Sequence, residues 1–207
     1  MNKYTVKNLY KADFKEKGSK FIAFLTPCHK IENCDTELSK VKENHPTATH
    51  HCYAYRIGAA DCAEFSQDDG EPSGTAGAPI LNTLRSENLV NILCIVVRYY
   101  GGTKLGKSGL AEAYARAAKL AVDASSLNRI ISTVRFSVTY PYDQQSVIEK
   151  LKHTFTLYVI DSEYTDDVRL TLECPMDQEA AFSKRIKSLS HLMIHSKKER
   201  QSFHIEN

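Results

Sequence analysis

The alternation of apolar and polar residues predicts four strands in the first 100 residues. Residues 4–6 and 21–26 are short apolar segments, and a Lys-Gly-Ser turn sequence lies between them. Residues 51–57 alternate with a period of two, which is typical of a half-buried strand. Residues 91–100 contain an apolar run, and such a run is expected in a central strand that is covered on both faces.

Helical periodicity and turn-forming residues divide the rest of this half of the chain. Residues 31–44 place apolar side chains three and four positions apart, and residues 110–125 carry an alanine-rich face, so both predict helices. Pro79 is expected to start a further short helix. Residues 65–79 and 101–109 are rich in turn formers and glycine, which predicts loops. A loop as long as the first of these is often functional.

The pattern starts afresh after residue 132 and predicts a second domain. Its order is strand, helix, strand, strand, helix, strand, which is the ferredoxin-like arrangement. The fold class is therefore α+β, with one domain at residues 1–132 and a ferredoxin-like domain at 133–207. The strands are expected at 134–140, 155–163, 168–174 and near Phe203, and the helices at 143–153 and 177–192.

Composition narrows the class of protein. The chain has 207 residues, 42% of them hydrophobic, which predicts a packed globular protein, and its net charge of +2 is far from that of a strongly basic nucleic-acid module. The longest unbroken apolar run, residues 92–97, is too short to span a bilayer. The lysine-rich first twenty residues contain no secretory segment and predict a solvated strand edge. We therefore expect a cytoplasmic protein with no membrane partner.

Six cysteines are present without a CxxC pair, and neither His50 nor His51 has a spaced Cys or His partner. These residues predict reduced structural thiols and no metal site. The chain also lacks GxSxG and HExxH sequences, so no catalytic residue and no cofactor are predicted.

Residues 101–108 match the phosphate-binding pattern GxxxxGK[ST] and follow a predicted buried strand. In a nucleotide-binding enzyme, Lys107 would contact the β- and γ-phosphates and Ser108 would hold Mg²⁺. A helix N-terminus that binds some other anion, and glycines that allow close packing, are the alternatives. The enzyme hypothesis is weakened because no further parallel strand and helix follow to supply a metal-binding aspartate.

Several segments in this half together resemble the YigZ/IMPACT family, in the two-domain form found in bacteria. They are 51–56 (HCYAYR), 68–77 (DDGEPSGTAG), 77–81 (GAPIL), 96–102 (VVRYYGG) and 104–106 (KLG). The resemblance covers about residues 15–125, and the remainder is similar to the small C-terminal domain of bacterial members. Similar proteins usually have small residues where this chain has Lys107 and Ser108, which implies that the GxxxxGKS match is accidental.

The resemblance implies a fold for each domain and a function connected with translation. The first domain is expected to resemble the second domain of ribosomal protein S5, and the second to resemble the fifth domain of elongation factor G. Eukaryotic relatives regulate translation by competing for the activator of an initiation-factor kinase, using a domain that this sequence does not show. For the short bacterial form, the family suggests contact with nucleic acid or a translation factor.

Cations lie beside aromatics in the glycine-rich segment 98–107, which is the pattern expected of an RNA-binding surface. The three carboxylates at residues 68–71 could bind Mg²⁺ or act as acid and base, or form one mixed-charge pocket with the first segment. We expect a non-catalytic accessory protein of translation whose partner is RNA, the ribosome or a translation factor, with an oligomeric state that the sequence does not set. Instead of binding, Tyr99 and Tyr100 could simply pack at the end of the buried strand. The acidic segment at residues 68–71 could simply be a surface loop held by Asx turns. The candidate binding residues are Asp69, Glu71, Ser73, Arg98, Tyr99, Lys104, Lys107 and Ser108.

Overall fold

The computed structural model of the chain describes residues 2–59 and 61–206, which fall into two units. One ends at Arg129 and the other spans Ile130–Glu206. The predicted boundary at residue 132 lies close to this division. The strands that lie wholly within the residues of the first unit are β1 (Lys3–Thr5), β2 (Tyr10–Glu16), β3 (Ser19–Pro27), β4 (His50–Ile57), β5 (Ala63–Gln67) and β6 (Ile92–Tyr99), and the helices are α1 (Ile31–Asn44), α2 (Gly77–Ser86) and α3 (Gly106–Asp123).

The first unit is built on a five-stranded antiparallel sheet in the order β2-β3-β6-β4-β5. Alternate residues of β3 face opposite sides, so that Phe21 packs with α2 and α3 while Ile22 packs with α1. Strand β6 is buried from Ile92 to Arg98, which confirms the predicted central strand. Helices therefore cover both faces of this sheet.

One strand and two helix starts differ from the sequence-based expectation. Strand β2 lies in the lysine-rich segment, where a solvated strand edge was expected, and alternates between exposed and half-buried residues at the sheet edge. Residues 65–67 were expected in a loop but belong to β5. Helix α2 begins at Gly77 rather than Pro79, and α3 begins at Gly106 rather than 110, so Lys107 and Ser108 lie in its first turn.

The second unit has the predicted order of strands and helices. All its neighbouring strands are antiparallel, and their spatial order is β10-β7-β9-β8, as in ferredoxin-like domains. Helices α4 and α5 pack on one face of this sheet through Ile148 and Phe182. The elements are β7 (Asn128–Tyr140), α4 (Gln145–Thr154), β8 (Tyr158–Tyr164), β9 (Val168–Pro175), α5 (Glu179–Lys187) and β10 (His195–Ile205), with 3₁₀ turns at Tyr142–Gln144 and Ser190–Leu192.

Within residues 2–59 and 61–206, no helix is both long and apolar enough to cross a membrane.

Candidate functional site

A pocket of about 530 Å³ lies in the first unit, where the end of β6, the loop after β5 and the start of α3 meet. The structure brings four predicted residues together in its lining: Glu71, Arg98, Lys104 and Lys107. His50 and Tyr100 also line it, and neither was among the binding residues predicted from the sequence. The sequence carried a signal for Tyr100, because it directly follows β6 and residues two positions apart in an extended chain, such as 98 and 100, point to the same face.

The floor of the pocket is a buried ion pair. Arg98 is 4% exposed and its Nη1 donates a hydrogen bond of 2.5 Å to Oε1 of Glu71. The Tyr114 hydroxyl donates to the same oxygen at 2.8 Å. Burial, together with Cys52 and Glu71 nearby, raises the pKa of Tyr114, so this hydroxyl stays protonated and remains a donor. Glu71 therefore neutralises the charge of Arg98.

The Arg98 guanidinium also connects the floor to the rim of the pocket. Its central carbon lies 5.5 Å from the ring centroid of Phe21 and 5.4 Å from that of Tyr100, both within cation–π range. Its Nη2 donates to the Ser19 hydroxyl at 3.3 Å. The Tyr100 side chain is 46% exposed, so the buried arginine holds an accessible aromatic ring.

Two carboxylates hold the acidic loop in place. Asp68 accepts hydrogen bonds from the backbone N–H groups of Gly74, Ala76 and Gly77 at 2.8 to 3.0 Å. Burial raises the pKa of Asp68, but these three bonds outweigh it and leave the pKa below its usual value. Asp69 accepts from the backbone N–H of His51 at 2.6 Å.

The other predicted residues lie outside the pocket lining. Tyr99 points to the opposite face of the sheet, where its hydroxyl lies 2.8 Å from Nδ1 of His45. Ser73 is exposed on the acidic loop, and Ser108 is exposed in the first turn of α3. Asp69 is partly buried, and its carboxylate is engaged with the backbone of β4.

The rim of the pocket is positively charged. Lys104 and Lys107 are exposed, and neither forms an ion pair with any residue that the structure describes. The first turn of α3 contains no acidic residue, and the N–H groups of such a turn attract anions. This arrangement can contact a negatively charged group from the side of α3.

Comparison with known proteins identifies the family. The Impact N-terminal domain matches residues 17–122, and a domain of unknown function (DUF1949) matches residues 138–191. The chain belongs to the IMPACT family. It is 35% identical to the IMPACT family member YigZ of Escherichia coli, and the alignment covers 84% of this chain and 86% of that protein. It is 32% identical to the family member YvyE of Bacillus subtilis, covering 91% of this chain and 87% of that one.

A solved structure has a similar fold over nearly the whole chain. A crystal structure of a hypothetical protein matches 96% of this chain and 98% of its own with a TM-score of 0.67 and 29% identity. The predicted membership of the YigZ/IMPACT family and the two-domain α+β fold are therefore confirmed.

The GxxxxGKS segment of this IMPACT-family chain has a structural explanation. Strand β6 is antiparallel to both neighbours, whereas a phosphate-binding loop of a nucleoside triphosphatase follows a strand of a parallel sheet. A Cβ atom on Gly101 would lie 1.9 Å from the carbonyl carbon of Gly18, so glycine is needed there for close packing. Among the described residues, no cluster of three or more His, Cys, Asp or Glu side chains suits a metal ion.

Proposed function

We propose that this protein has a translation-related regulatory role and acts without covalent chemistry by binding RNA, alone or as part of the ribosome. The family resemblance supports the setting in translation. The observation that carries the RNA contact is the rim of the pocket, where Lys104 and Lys107, which form no ion pair with a described residue, line the same cavity as the exposed ring of Tyr100.

Each part of the rim matches one part of a nucleotide. Lysine ammonium groups and the N–H groups of the first turn of α3 suit a phosphate, and the Tyr100 ring offers a face on which a base stacks. Ser73 is exposed on the loop after β5, and Ser108 is exposed in the first turn of α3. Their hydroxyl groups extend the proposed surface with hydrogen-bond donors.

The buried residues have a positioning role in this proposal. Arg98 is neutralised by Glu71 and contacts the Tyr100 ring, so it orients the aromatic platform rather than binding phosphate. Asp69 fixes the loop that carries Glu71. Tyr99 is left out of the proposed surface because it packs on the opposite face of the sheet.

Titration of a fluorescent single-stranded RNA with the protein at several salt concentrations tests the proposal. Replacing Lys104 and Lys107 together by alanine is expected to lower the steepness of log K against log salt by about 1.4, since each phosphate contact on single strands contributes about 0.7. Tyr100→Ala should weaken binding by about 1 to 3 kcal/mol, whereas Tyr100→Phe should bind as the unchanged protein does.

The matched control replaces Lys40 and Lys42 on α1, which covers the other face of the sheet, and should leave RNA binding unchanged. Co-sedimentation with ribosomes at low salt, weakened by the same rim variants, supports the ribosomal form of the proposal. Absence of RNA binding at low salt, or equal weakening by the α1 control, would refute it. A rise in melting temperature with Mg-ATP that Lys107→Ala abolishes would favour the nucleotide-binding alternative.

A further inference from the structure

Strand β8 is an edge strand of the second unit. It pairs with β9, and no other strand in the described part of the chain pairs with it. Among the described residues, no second strand uses the backbone N–H and C=O groups on its outer side, although the N–H of Ser162 donates a hydrogen bond of 2.9 Å to Oδ1 of Asp161.

This edge exposes large apolar side chains. Val159, Ile160 and Tyr164 on β8 are 46%, 45% and 64% exposed. Tyr142, 51% exposed, donates its hydroxyl hydrogen to the carbonyl of Thr165, so it lies beside the end of the same strand.

The other edge strand of the second unit looks different. Strand β10 exposes Lys197, Lys198 and Arg200 and no large apolar residue. Exposed charges of this kind are how proteins normally protect a sheet edge from pairing. Strand β8 has no lysine or arginine, and its exposed apolar side chains lie beside the carboxylates of Asp161 and Glu163, so this edge combines an apolar surface with negative charge.

The charge of β8 and of the residues that follow it indicates which class of partner suits this edge. Residues 158–167 contain four carboxylates, Asp161, Glu163, Asp166 and Asp167, and no lysine or arginine. Glu163 forms an exposed ion pair of 3.3 Å with Arg169, which lies outside this segment. The other three carboxylates form no ion pair with a described residue. Like charges placed opposite each other disfavour a second copy of β8 and RNA, whereas a basic chain is attracted.

The register of β8 divides its side chains between two faces. Val159 and Tyr164 lie opposite Leu172 and Val168, which face the helices, while Asp161 and Glu163 lie opposite residues of the other face. The register shifts between Val159 and Asp161, so an irregularity separates Val159 from the rest of the strand. A strand added along residues 161–164 would place every second side chain beside Asp161 and Glu163 and the others beside Ser162 and Tyr164.

We propose that the free edge of β8 is a docking site for an extended, basic segment of another protein, in which apolar and Lys or Arg residues alternate. The segment adds a strand to the sheet through backbone hydrogen bonds, and the alternation sets its register. This inference rests on the second unit alone and is independent of the proposed RNA contact.

Synthetic peptides test the inference directly with the full-length protein. An eight-residue peptide of alternating Val and Lys is expected to bind at least tenfold more tightly than its Val and Glu counterpart. It should also bind more tightly than a peptide of the same composition with four Val followed by four Lys. Equal binding of the three peptides would overturn the proposal, because binding would then depend neither on the charge of the peptide nor on the alternation of its side chains.

Charge reversal distinguishes recognition from simple disruption. With Asp161→Lys and Glu163→Lys together, the preference should invert in favour of the Val and Glu peptide, a gain that damage to the fold would not produce. The matched control, Asp35→Lys with Glu43→Lys on α1, changes the net charge equally and should keep the original preference. A preference that survives the β8 reversal would overturn the proposal.

Two further measurements separate this site from other occupants and from the RNA surface. Sedimentation that shows a dimer dissociated by Tyr164→Arg would overturn the proposal, since a second copy would then occupy the edge. Replacement of Lys104 and Lys107 by alanine should leave binding of the Val and Lys peptide unchanged. Failure of either proposal therefore leaves the other standing.

Discussion

The ion pair between Glu71 and Arg98 is the residue-scale feature that supports the pocket, because both side chains are at most 5% exposed. Arg98→Ala would leave the Glu71 carboxylate buried with the Tyr114 hydroxyl as its nearest donor. We expect a loss of about 3 to 5 kcal/mol in the free energy of unfolding, measured by urea denaturation. Arg85→Ala, which removes a half-exposed ion pair with Glu64, should cost about 0 to 1 kcal/mol. Equal losses would contradict this account.

The same residues show what a single sequence reveals at this scale. Residue types and the family resemblance pointed to eight candidate residues, and four of them line one pocket: Glu71, Arg98, Lys104 and Lys107. The pairing of Glu71 with Arg98 was not predictable, because it joins residues 27 positions apart through the fold. That pairing changes the role of Arg98 from an available cation to a neutralised support for Tyr100.

At the scale of elements, Asp68 fixes the start of α2 by accepting hydrogen bonds from the N–H groups of Ala76 and Gly77. The folded-state pKa of Asp68 lies below the unfolded value of about 3.9. Its contribution to stability is therefore complete above about pH 4 and is lost as the pH falls through the folded pKa.

Comparison of the unchanged protein with Asp68→Asn in urea at a series of pH values measures this contribution. The unchanged protein should be more stable by about 1 kcal/mol at neutral pH, the size of a typical helix cap. That advantage should shrink below about pH 4, because the carboxyl of Asp68 becomes protonated. An advantage that persists undiminished to about pH 3 would contradict the role assigned to these hydrogen bonds.

Elements with long apolar patterns were predictable, and the bounds of those at sheet edges were not. The continuous apolar run of β6 and the helical spacing of apolar residues in α1 each extend over many residues, so both patterns are clear. The lysines in the segment of β2 indicated an exposed strand edge but not where the strand begins and ends. Strand β5 has only five residues, with Phe65 exposed, and gains its conformation by pairing with β4, which local sequence does not encode.

At the scale of the whole molecule, each unit has a hydrophobic core of its own. In the second unit Phe136 and Phe182 are in edge-to-face contact and are surrounded by apolar residues of the same unit. The strand and helix order of a ferredoxin-like domain is complete within it. A chain of this length can fold alone where its core is well packed.

We therefore expect residues 126–207, expressed alone, to unfold in one cooperative transition with a stability of a few kcal/mol, followed by circular dichroism in urea. Phe182→Ala should remove about 3 to 5 kcal/mol and leave this fragment unfolded, because Phe182 lies fully within the core. Met176→Ala, at a residue 43% exposed, should leave the transition nearly unchanged. A fragment without a cooperative transition would show that the core of this unit is insufficient by itself, and the β8 docking site would then have to be studied only in the full chain.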